Sequence, residues 1–125
     1  MKDTKGIRLH EGELNIMELL WSNRELAAKD IARIVKEYIG WEKNTTYTVI
    51  KRLIEKGAIT REEPGFICRA AISKQKVQQA AADDVIDQFF GGSFSEFLTQ
   101  YLRYQRLSSA ELLEMQRIVN EQKYR

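Results

Sequence analysis

Apolar positions along the chain recur mainly at three- and four-residue spacing, which predicts six helices interrupted once by a short β-rich stretch. Residues 1 to 8 are polar and read as a loose arm. In LHEGELNIMELLW, Leu14, Met17 and Trp21 share one helical face, while Ile16 and Leu19 lie on another, so this helix should pack in two directions. SNRE is a short turn. AAKDIARIVKEYI, residues 27 to 39, is a second amphipathic helix with Ile31, Ile34, Val35 and Tyr38 inward. Asp30 and Glu37 alternate with Lys29, Arg33 and Lys36 on its outer side, and Gly40 ends it. A connection from Trp41 to Lys43 leads into NTTYTVIKRLIEKG.

That third helix has two unlike sides. Ile50, Leu53 and Ile54 define a core face, and Thr46 lies one turn earlier on the same side. Thr45, Thr48 and Arg52 point the opposite way, flanked by Asn44, Lys51 and Glu55, with Tyr47 at the border. Gly57 stops the helix. AITR and FICRA are β-rich runs joined by EEPG, which holds the one proline of the chain, so they predict a two-stranded hairpin.

Beyond Ile72 the pattern is helical again. Val77, Ala81, Val85 and Phe89 are in register, and Gly91-Gly92 breaks that helix. Ser93 precedes Glu96, and Ser108 precedes Glu111, by the three residues of a capping box, so new helices start at both serines. The tail spans about 50 residues, too few to bury its many large apolar groups alone, and pairing with a second copy solves that. The candidate dimerisation residues are Phe89, Phe90, Phe94, Phe97, Leu98, Tyr101, Leu102, Leu112, Met115, Ile118 and Val119. The phenylalanine cluster can also be read as the lining of a ligand pocket.

Helix, helix, helix and hairpin is the layout of a winged helix-turn-helix. The fold expected is therefore mainly α, with a winged-helix domain over residues 1–72 and a helical dimerisation domain over 73–125. In that layout the third helix enters the major groove of DNA and the wing lies beside it. Threonine offers a hydroxyl and a methyl to base edges, arginine pairs bidentately with guanine, and lysine serves phosphates. The candidate DNA contacts are Lys43, Asn44, Thr45, Thr46, Tyr47, Thr48, Lys51, Arg52 and Arg61. Asn44 is open to a second reading as a helix cap, and Tyr47 as a packing residue at the rim. Arg69 is a further wing cation, while Glu62 and Glu63 at the wing tip oppose close approach to phosphate.

Composition changes this picture little. The 125 residues are 43% hydrophobic and 30% charged, as in an ordinary folded protein, and the net charge is +2. The basic groups are uneven, however: residues 43 to 61 carry a local net of +4, whereas residues 73 to 125 are neutral. No apolar run approaches the roughly 20 residues that span a bilayer, and the N-terminus lacks the apolar stretch of a signal peptide. Cys68 is the one cysteine and His10 the one histidine, so one chain cannot close a zinc site; His10 reads as a helix-start residue with Glu13. Cys68 fits a reducing cytoplasm and reads as a small packing residue; a redox role would need a thiol from another chain. No nucleophile–base pair, metal cluster or phosphate loop is visible, so an enzyme is not expected, nor is a cofactor. The alternative to DNA binding is a protein-interaction module that docks through the third helix.

LHEGELNIMELLW, AAKDIARIV and NTTYTVIKRLIEKGAI, followed by a short wing and a helical tail, resemble the BlaI/MecI/CopY family of bacterial repressors over about residues 9 to 121. ELNIMELLW, TTYTVIKRLIEKG and the Gly-Gly joint in FFGGSFSEFL are the most specific parts. The resemblance implies a homodimeric repressor of a palindromic operator, in a family whose β-lactam branch controls antibiotic resistance. There a membrane sensor-protease pathway leads to cleavage in the dimerisation region. The cleaved Asn-Phe bond of those relatives aligns with Gln100-Tyr101, where both residues differ. The copper branch carries C-terminal Cys-x-Cys motifs, and no cysteine follows Cys68 here. Relatives commonly begin the second helix with Ser or Thr; Ala27 stands there instead, a loss of about 1 kcal/mol unless another group caps the helix.

Overall fold

The computed structural model describes residues 7–124. Its elements are α1 (Glu11–Ser22), β1 (Leu26–Ala27), α2 (Ala28–Ile39), α3 (Lys43–Glu55), β2 (Ile59–Glu62), β3 (Ile67–Ala70), α4 (Lys74–Phe89), α5 (Phe94–Tyr104) and α6 (Ser109–Gln122). The first six form a winged helix-turn-helix. β2 and β3 pair antiparallel, with Ile59 opposite Ala70 and Arg61 opposite Cys68. The sequence predicts a two-stranded hairpin, and the structure adds a third strand to it. The SNRE turn leads into β1, which pairs with β3 through Leu26 and Cys68, so the sheet has three strands in the order β1-β3-β2.

The core is one cluster built around α3. Val49, Ile50 and Leu53 meet Ile16, Met17 and Leu20 of α1, Ala28, Ile31 and Val35 of α2, and Ala58, Ile59 and Cys68 of the sheet. Cys68 is fully buried, and burial pushes its thiol pKa up to about 11. Gly40 closes α2 in the left-handed region at φ +86°, and its N–H donates to the Val35 and Lys36 carbonyls. Gly57, at φ +83°, follows the last turn of α3 in the same way.

Two helix faces differ from those expected. In α1 the inner face is Glu13, Ile16, Met17 and Leu20; Leu14 and Trp21 are only partly buried. Trp21 still packs against the rim of the core, whereas Leu14 turns toward the start of α4. Leu14 lines a cavity of about 310 Å³ with Val77 and Ala81, and the Trp21 indole N–H donates to the Ile72 carbonyl at 2.9 Å. The helix does pack in two directions, with the faces exchanged. In α2, Ala28 and Ala32 lie on the inner face with Ile31 and Val35, and Tyr38 is 82% exposed. Alanine lets the helix approach closely, a role that hydrophobic spacing does not mark.

Ala27 is indeed the N-cap of α2 and offers no side-chain bond. The wing substitutes: the Ala28 N–H donates to the Phe66 carbonyl at 2.9 Å. At the start of α1, the His10 N–H donates to the Glu13 carboxylate at 2.8 Å. Glu13 is 1% exposed and also accepts from the Lys56 ammonium at 2.7 Å, which ties α1 to the end of α3. Burial pushes the Glu13 carboxyl up; the Lys56 hydrogen bond and the His10 N–H, with the nearby charge, outweigh it and hold the carboxyl below the ordinary range. Lys56 donates as well to the Arg8 carbonyl, and the Arg8 guanidinium grips Asp84 of α4 with bonds of 2.6 and 2.8 Å. Arg8 is therefore anchored rather than loose; residues 1–6 of the expected arm lie outside the described residues.

The chain divides into two compact units between Asp84 and Val85, inside α4. The first half of α4 joins the winged helix by burying Val77 and Ala80. In the second unit Gly91-Gly92 ends α4 as expected, and the Ser93 and Ser108 hydroxyls accept from the Glu96 and Glu111 N–H groups. Phe97 packs against Phe90, Phe94 and Tyr101, yet α5 and α6 contain no buried residue.

Replacing Lys56 by Ala should destabilise the fold by about 3 kcal/mol, because a buried carboxylate then loses its partner. A depressed folded-state pKa contributes stability above the unfolded value, so the wild type should lose this contribution as pH falls below about 4.3. Urea unfolding at pH 7 and pH 4 checks both: the Lys56→Ala deficit should be large at pH 7 and smaller at pH 4.

Candidate nucleic-acid interface

The side of α3 away from the core is built by default. Thr46, Val49, Ile50 and Leu53 turn inward, so Lys43, Asn44, Thr45, Thr48, Lys51, Arg52 and Glu55 are exposed. Among the described residues, Lys51 and Arg52 have no carboxylate partner and Thr45 makes no side-chain hydrogen bond, so these groups are available to a ligand. The Thr48 hydroxyl donates to the Asn44 carbonyl at 2.9 Å. Its oxygen lone pairs and methyl remain presentable, so it can accept a hydrogen bond or touch an apolar group. Asn44 is not the cap of α3; that position is Glu42, which makes no side-chain cap bond. Its amide faces solvent. No large apolar side chain sits at the centre of this face, unlike the typical protein-docking surface.

Two expected contacts are placed differently. Thr46 is fully buried and its hydroxyl has no partner among the described residues, so it leaves the candidate set. Its position on the core side, one turn before Ile50, is the reason. Tyr47 is half-buried, with its ring edge-on to Phe66 at 5.8 Å and the Lys43 ammonium 5.8 Å from its centroid. It joins α3 to the wing turn, and packing is its evident role.

The wing cations are occupied. Arg61 stacks on Phe66 at 3.5 Å and its Nε donates to Glu63, whose carboxyl is held low chiefly by that bond. Arg69 bridges Glu62 and Glu25, which raises its own pKa further. Phe66, which organises Tyr47 and Arg61, is not marked by the sequence pattern, and Lys29 and Arg33 are marked there only as outer-side charges of the second helix, not as contacts. These last two line a shallow concavity of about 270 Å³ with Ala32, Lys36 and Lys43. Their spacing of four residues was a visible signal.

Among the described residues no group of His, Cys, Asp or Glu is arranged to hold a metal ion, and no helix is long and apolar enough to cross a membrane. Gln100 and Tyr101 are both exposed and lie within α5, where Gln100 bonds Glu96 and Tyr101 stacks on Phe97.

The penicillinase repressor family matches residues 9–121. The penicillinase repressor of Bacillus licheniformis is 22% identical over 120 residues, covering 94% of each chain. The methicillin resistance regulatory protein MecI of Staphylococcus aureus (strain N315) is 22% identical over 121 residues, covering 95% of this chain and 98% of its own. The solution structure of the DNA-binding domain of the repressor BlaI shares the fold, with a TM-score of 0.53 at 24% identity, over 58% of this chain and 93% of that one.

Thr46→Val removes a buried, unpartnered hydroxyl at nearly constant shape. It should stabilise the fold by about 1 kcal/mol and leave the exposed face unchanged. Thermal unfolding checks the first expectation; a loss of stability would show that the hydroxyl is satisfied in solution.

Proposed function

The chain belongs to the penicillinase repressor family, and on that footing we propose that it is a cytoplasmic transcriptional repressor that binds a palindromic operator as a homodimer. The observation that carries this reading is the exposed face of α3, with its hydroxyls, amide and uncommitted cations beside a closed apolar core. Thr45, Thr48, Asn44 and Arg52 read base edges, and Lys43 and Lys51 contact phosphates. An operator-bound dimer blocks the polymerase sterically. No catalytic step is assigned to any residue.

The exposed apolar surface of the second unit supports the dimer. Phe89 is 69% exposed and Val119 60%, and Phe94, Tyr101, Leu112, Met115 and Ile118 are also uncovered. Leu98, Leu102, Leu112, Met115 and Val119 line an open groove of about 470 Å³. A second copy of the same helices supplies what one chain leaves unburied. Release then requires breaking this interface. Proteolysis in α5, signalled by a sensor-protease that responds to β-lactam, is the release step, with Gln100-Tyr101 the candidate bond. Cleavage there requires α5 to unwind, because the bond lies within the helix.

Two measurements test the reading. Arg52→Ala should lower affinity for DNA from upstream of its own gene by about 1–3 kcal/mol while thermal stability is retained. Equal binding by the variant would remove Arg52 from the interface. Leu112→Glu combined with Val119→Glu should turn a sedimenting dimer into a monomer and weaken operator binding; an unchanged dimer would place the interface elsewhere.

A further inference from the structure

We infer that the outer face of α2, and not the wing, supplies the second phosphate grip of this protein, with Lys29, Arg33 and Lys43 forming a site for a DNA phosphodiester. This inference rests on the DNA-binding reading above and specifies where the backbone is held.

Lys29, Arg33 and Lys36 recur at four and three residues, so they form one stripe along α2. With Lys43 at the start of α3 they surround the concavity whose floor is the small side chain of Ala32. Four cations meet there. Only two have carboxylate partners among the described residues: Arg33 with Asp30 at 3.4 Å, and Lys36 with Glu42 at 2.8 Å. The Arg33 pair is long and exposed on both sides, so a phosphate can replace Asp30 easily. Lys29 and Lys43 have no carboxylate to release among the described residues; Lys43 only lies 5.8 Å from the Tyr47 ring centroid. Lys43 also begins the exposed face of α3, so the concavity and that face are continuous.

The wing offers the opposite situation. Over β2, the turn and β3, Arg61 and Arg69 are matched by Glu62 and Glu63. Arg61 is held by Glu63 and by the Phe66 ring, and Arg69 by two carboxylates. Each wing cation would have to leave two partners to meet a phosphate and would bring an acidic group toward the same backbone. Phosphate neutralisation therefore shifts to the side where Lys29 and Lys43 have no carboxylate partner among the described residues and Arg33 holds a single long one.

The test is the salt dependence of binding by the full chain. Fluorescence anisotropy would follow a labelled duplex of arbitrary sequence, since the phosphate contribution operates on any DNA. Three proteins are compared: the wild type, Lys29→Gln/Arg33→Gln, and Arg61→Gln/Arg69→Gln. The α2 variant should reduce the slope of log K against log salt by about 1–2 and weaken binding about tenfold at moderate salt, whereas the wing variant should keep the wild-type slope. All four side chains are at the surface, and circular dichroism verifies the fold. A slope loss in the wing variant equal to or larger than that in the α2 variant overturns the inference but leaves DNA binding intact. An unchanged slope in the α2 variant does the same. A wild type that binds no duplex at low salt overturns both the inference and the DNA-binding reading.

Discussion

The burial of one side of α3 is the constraint on which the rest of the winged helix depends. Thr46, Val49, Ile50 and Leu53 are held between α1, α2 and the sheet, and that fixes the rotation of the helix about its axis. Successive helical residues turn by about 100°, so a slip of one residue would carry Thr45 and Arg52 off the solvent side. The end of the helix is fixed as well. Lys56 reaches the buried Glu13, and Gly57 turns the chain into β2. A charged pair in this position is a poor source of net stability but punishes any misplacement, because either group alone would be stranded.

The wing completes the scaffold more than it extends the interface. Its Phe66 carbonyl accepts the first N–H of α2, where Ala27 gives no cap, and its Phe66 ring meets Tyr47 of α3. The charges around it cancel locally. Exposed ion pairs of this kind add little stability. Their larger effect is to occupy cations that would otherwise attract phosphate. Among the described residues, the positive charge without a carboxylate partner lies at Lys43, Lys51 and Arg52 of α3 and at Lys29 of α2.

Much of this was legible in the sequence, and the exceptions have physical causes. The split of α3 into apolar and hydroxylic sides follows directly from the spacing of Ile50 and Leu53, and the Ser93 and Ser108 caps follow from their acidic partners three residues on. β1 was missed because two residues carry no periodic signal and their partner is Cys68, far along the chain. The burial of Glu13 was missed because its neutralising group is Lys56, and composition gives no warning of a charge drawn inward by a distant cation. Tyr38 was placed inside because hydrophobic spacing ignores Ala28 and Ala32, which define the true contact face. The hold of Arg8 on Asp84 is a pairing that only the folded chain reveals. For the candidate site, the exposed cations and Thr45 were readable; the capture of Tyr47, Arg61 and Arg69 by neighbours was not.

The second unit poses the complementary problem, an apolar surface that one chain leaves open. Neither α5 nor α6 contains a buried residue, so the apolar side chains of these helices remain in contact with solvent in the single chain. The most direct test of the central claim is an NMR titration of the isotopically labelled full chain with duplex DNA from upstream of its own gene. Perturbations concentrated on Lys43 to Arg52 and the outer side of α2, with the wing tip and α6 little affected, are expected. Perturbations confined to the tail helices, or none at DNA excess and low salt, would contradict the assignment of α3 as the recognition element.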